Sequence, residues 1–192
     1  MLGKLLLVCT TMAALGVSAT AMAETLGQKP AYLWCAISSV PNEQAITKTI
    51  WAPGLEEGFV SQGLTYADGT VLIAAYNSTD PKVDKGPCRI FSVSAKDGKL
   101  AGYFDMPETC GHAGGLALTG ANTLVVSDTR TLYKIDLGRA LESKNTKDAP
   151  LSVVKLAGAL KGSFIGFDGK DLWVGSSEKD TEKRIVISSA RG

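Results

Sequence analysis

Three stretches of this chain repeat one another at intervals near 50 residues, and no other feature restricts the fold as much. They are "GLTYADGTVLIAAY" from Gly63, "GLALTGANTLVVSD" from Gly115 and "FIGFDGKDLWVGSS" from Phe164. Each alternates as a strand does, breaks at Asp-Gly or Gly-Ala-Asn, and resumes as a second apolar strand. Asp68-Gly69 and Asp168-Gly169 favour two-residue hairpin turns, because Asp and Gly tolerate positive φ. A further strand pattern follows each unit: "CRIFSV" with "LAGYFDMP", "TLYKIDL" with "LSVVKLAG", and finally "EKRIVISSARG". Ahead of the first repeat, "AYLWCAISSVPNEQAITKTIWAPG" copies the spacing of "CRIFSV…LAGYFDMP" and ends on a matching proline. Helical periodicity is nearly absent past the first residues; only "LGRALESKN" suggests a helical turn.

Four-stranded units at this period predict an all-β fold, an incomplete β-propeller of about three four-stranded antiparallel blades. Through "QGLTYADGTVLIAAY", "GHAGGLALTGANTLVVSDTRTLYKIDL" and "FIGFDGKDLWVGS", residues 30–190 resemble the secreted six-bladed propellers of the gluconolactonase and strictosidine-synthase superfamily. Propellers close with about four to eight blades. Three units therefore suggest a partial member or a fragment of a larger ring. A compact β-sandwich or a domain-swapped dimer would use the same hairpins. An open ring leaves unpaired N–H and C=O groups along a strand edge, which favours self-association.

The chain opens on "MLGKLLLVCTTMAALGVSATAMA": a lysine, an apolar run, then small residues at Ala21-Met22-Ala23. That order reads as a signal peptide over residues 1–23, with residues 24–192 as one partial propeller domain, secreted or periplasmic. An uncleaved anchor is the competing reading. With 20 Lys and Arg against 19 Asp and Glu in 192 residues, the net charge is +1. Nothing in that balance suits nucleic acid, or a membrane surface once the leader is cleaved. The partner is left as an unknown small molecule or protein.

In such a ring the first strand of each blade lines the centre, where only small residues let backbones approach. Gly63, Gly114-Gly115 and Gly162 then stand at or near equivalent strand starts. His112, the single histidine, falls at the channel mouth, with Gln62, Asn77 and Asp128 as further ligand-binding candidates. Cys88 and Cys110 point to the same face, and a Cys88–Cys110 disulfide is the expected pairing, with Cys35 spare. A Cys110–His112 nucleophile pair is the rival use of that thiol. Trp173 reads as core.

The resemblance also implies a divalent-metal lactonase. At the positions where that family places oxygen ligands, this chain has Gln62, Ala113, Gly114, Gly162 and Ser163, none of them a carboxylate. Hard cations want oxygen ligands, and a hydrolytic site of this kind needs at least one carboxylate among them. No metal, cofactor or catalytic residue is therefore expected, and a non-catalytic binding scaffold is favoured over a metal-dependent hydrolase or a truncated product without independent function.

Overall fold

The computed structural model describes residues 24–34, 40–78, 80, 82, 85–177 and 187–191. The leader and Cys35 lie outside them. Three antiparallel sheets follow one another along the chain, each built in sequence order. The first contains β3 (Phe59–Ala67), β4 (Thr70–Asn77), β5 (Cys88–Ser94) and β6 (Leu100–Asp105). The second contains β7 (Gly115–Gly120), β8 (Thr123–Ser127), β9 (Thr131–Asp136) and β10 (Pro150–Lys155). The third contains β11 (Phe164–Phe167), β12 (Asp171–Gly175) and β13 (Ile187–Arg191). The N-terminal segment departs from the expected hairpin. There β2 (Lys48–Ile50) pairs in parallel with β1 (Glu24–Leu26), and part of the first expected arm, residues 35–39, is outside the described chain.

Turn chemistry explains the hairpins. Ala67 pairs with Thr70 across Asp68 and Gly69, whose φ values of 49° and 78° are both left-handed. The Asp168 turn is longer than expected, with Phe167 paired to Leu172. Here the carboxylate itself organises the turn, accepting from the N–H groups of Asp171 (2.7 Å) and Lys170 (2.9 Å) and from the Trp173 indole (2.8 Å). Those donors, Asp171 first, hold its carboxyl below the usual range. The short helix α1 (Leu137–Ser143) starts where Asp136 accepts the Arg139 N–H at 3.0 Å and Asn122 accepts the Gly138 N–H at 2.7 Å.

The strand registers sort each sheet into a leading face and a trailing face. On the trailing face of the first sheet, Leu72, Ala74, Tyr76, Cys88, Ile90 and Phe104 pack against the leading face of the second, which offers Leu116, Leu124, Val126, Tyr133 and Ile135. Ala140 of α1 closes one end of this core. On the trailing face of the second sheet, Val125 and Leu132 meet Ile165, Leu172 and Val174 on the leading face of the third. The leading face of the first sheet, with Ile73, Phe91 and Val93, receives Ile50 and Ala52 from the N-terminal segment. Each such aliphatic side chain contributes about 1.5–3 kcal/mol through burial.

Contacts between the first strands set the spacing of the stack. A Cβ on Gly63 would stand 2.6 Å from the Gly115 Cα, and one on Gly115 would stand 2.8 Å from the Ile165 nitrogen. One on Gly114 would stand 2.7 Å from the Gly162 carbonyl oxygen. The three strands β3, β7 and β11 therefore lie side by side, backbone on backbone. Gly63 does this from the middle of β3, beside a register shift between Ser61 and Leu64, because that strand starts earlier, at Phe59. Trp173 also departs from expectation. It is 42% exposed, since it stands on the trailing face of the third sheet, where no further described sheet covers it.

Candidate binding basin at the His112 loop

Asp128 follows β8 and is buried at the foot of the loop that carries the histidine. One of its oxygens accepts the N–H groups of His112 at 2.8 Å and Ala113 at 3.2 Å. The other accepts the Gly111 N–H at 3.3 Å. Three consecutive amides can aim at one carboxylate because Ala113 takes a left-handed conformation, φ 49°. The other repeats use the same place differently. At the end of β4, the Asn77 side-chain amide donates to the Glu57 carbonyl at 2.6 Å. After β12, the Ser176 hydroxyl accepts the Lys161 N–H at 2.7 Å. In all three, a residue at or just past the end of the second strand fastens the loop that leads into the first.

Beside this loop lies an open depression of about 680 Å³, lined by Lys82, Lys85, Thr109, Gly111, His112, Asp128 and Thr129. The imidazole of His112 lies against Tyr76, ring centroids 5.0 Å apart and tilted by 32°. Thr109 shares a 3.0 Å hydrogen bond with the Tyr133 hydroxyl, fixing the rim to β9. The structure thus brings His112 and Asp128 together. Asn77 and Gln62 do not line the depression: Asn77 is committed to Glu57, and Gln62, exposed in mid-β3, donates to the Ser61 carbonyl at 3.2 Å. Lys82, Lys85 and Thr109 escaped the sequence reading, their one signal being the two loops that flank Cys88 and Cys110.

Cys88 and Cys110 are buried neighbours, and both are free thiols in this structure, so the expected bridge is not formed in it. The Cys110 sulfur first, and burial second, push the Cys88 thiol far above its ordinary range. Cys88 also points its sulfur at the Gly86 carbonyl, 3.6 Å away. A protonated, buried thiol is a poor nucleophile. In the reduced protein, a thiol reagent should therefore leave both unreacted in the native state and modify them on denaturation. Fast native labelling of Cys88 would contradict this environment.

Among the described residues, no three His, Cys, Asp or Glu side chains group as a cation site. No helix among them is long and apolar enough to cross a membrane. Neither a protein-family model nor a characterised protein sequence matches this chain.

Proposed function

We propose that the three sheets are successive blades of a β-propeller, and that the protein is an exported, non-catalytic scaffold presenting the His112 basin to a ligand. The observation that carries this reading is the commitment of Asp128 to three backbone amides. The buried carboxylate nearest the basin is spent on loop geometry, which leaves a fixed lip in place of an acid or base free to react. The ammonium groups of Lys82 and Lys85, with the His112 imidazole and the Thr109 hydroxyl, suit a ligand carrying a carboxylate or phosphate. Stacked sheets are the physical basis for such a role, because a rigid frame holds loops in one arrangement.

Calorimetric titration with citrate and with inorganic phosphate tests the basin. Binding should weaken at least tenfold in His112→Ala and in Lys85→Ala, with unchanged thermal unfolding, since both side chains stand at the surface of the depression. Chelator should leave the melting temperature where it was. Turnover of a lactone that depends on added calcium would overturn the non-catalytic reading. Tight anion binding that ignores both substitutions would overturn the basin as its site.

The Cys88–Cys110 bridge stays part of the proposal for the exported protein, where oxidation closes neighbouring thiols. After oxidation, Cys88→Ser and Cys110→Ser should each release the same single extra thiol in a denatured titration. A bridge to Cys35 would instead make the two variants differ.

A further inference from the structure

The described sheets make one kind of contact twice, trailing face on leading face, and the described residues leave one half of that contact open on the first sheet and the other half on the third. Leu64 and Leu116 are aligned residues of their repeats. Leu116 is 4% exposed beneath the first sheet, whereas Leu64 is 68% exposed on the open leading face, with Tyr66 beside it at 63%. On the trailing side the register partners of the aligned positions Thr65, Ala117 and Gly166 are Leu72, Val125 and Trp173. Leu72 and Val125 are buried, but Trp173 is open, and the space above its register partner Gly166 is empty out to 4 Å. Phe164 stands on the same open face, its ring over Gly175. The N-terminal segment repeats the theme. Ile50 and Ala52 pack on the leading face of the first sheet in the sequence positions that Phe104 and Met106 occupy before the second.

We propose that a second copy of this chain covers both open faces, head to tail, so that two copies close a ring of six sheets. The open faces are the two halves of one contact, and a second copy presents both halves at once. The three described antiparallel sheets fall short of the four to eight that close a propeller, and two copies of them reach six. A head-to-tail contact either closes a ring or grows a filament. Closure at two copies repeats the same contact six times and leaves no sheet face uncovered. It also sets two His112 basins on the same side of one ring. The inference rests on the blade reading of the sheets and not on what the basin binds. A monomer that still binds citrate would defeat it while sparing the ligand reading.

Sedimentation of the purified protein tests this with two variants. Leu64→Glu charges the open leading face, and Gly166→Lys fills the open trailing face. Leu64 is already 68% exposed and nothing lies within 4 Å of a Cβ on Gly166, so circular dichroism should show both folded. Wild type should sediment at twice the chain mass, and each variant alone as a monomer. Mixed in equal amounts, the variants should recover the dimer, because one interface is then wild type on both sides and the other pairs Glu with Lys. A wild-type monomer would overturn the proposal. So would open polymers, a dimer that survives both substitutions (as pairing through strand edges would), or a mixture that stays monomeric.

Discussion

Asp128→Ala should lower the free energy of unfolding by about 3 kcal/mol, because it leaves the Gly111, His112 and Ala113 amides without their acceptor in a buried place. For a chain of this size that corresponds to a melting temperature lower by roughly 10 °C. Chemical denaturation read by tryptophan fluorescence gives the number directly. Asp128→Asn separates hydrogen bonding from charge. Its remaining carbonyl oxygen can still accept from His112 and Ala113, so it should lose less than half as much. Equal losses in the two variants would mean that the charge matters more than the three-amide geometry. Losing the loop should also cost the basin its shape, so citrate binding should weaken in Asp128→Ala even where the protein remains folded.

Gly63→Ala should be at least as damaging, about 3 kcal/mol or more. The new methyl would stand 2.6 Å from the Gly115 Cα, and the obstacle is backbone, which cannot rotate aside as a side chain can. Either β3 and β7 separate, opening the core between the first two sheets, or the chain does not fold. Gly166→Ala is the matched control, since nothing lies within 4 Å of its Cβ position. It should be neutral or slightly stabilising, through lower entropy of the unfolded chain. If Gly63→Ala were as harmless as Gly166→Ala, the first strands would not be in contact.

How far the residues alone disclose this arrangement differs from element to element. Asp68-Gly69 is legible as a tight hairpin because both residues state their φ preference locally, and both take positive φ. The helical turn at Leu137 is legible for the same local reason, although its cap borrows Asn122 from the preceding hairpin. The role of Asp128 is not legible, since it depends on Ala113 taking a left-handed conformation that alanine gives no hint of. Trp173 misleads. An aromatic residue in a strand normally means core, and only the order of the sheets reveals that no further described sheet covers its face. Gln62 misleads through register: the extra residues beside Gly63 shift β3, so a position that aligns with a strand start falls in mid-strand. Lys82 and Lys85 carry no pattern at all, and a loop places them.

Glycine proton contacts in a nuclear Overhauser spectrum test the convergence of the sheets most directly. The account predicts a strong cross-peak between the α-protons of Gly63 and Gly115, and another between the Gly115 α-protons and the Ile165 amide proton. Spectra holding the within-sheet contacts of β3, β7 and β11 but lacking both of these would show three sheets that do not share a centre, contradicting the stack and everything placed upon it.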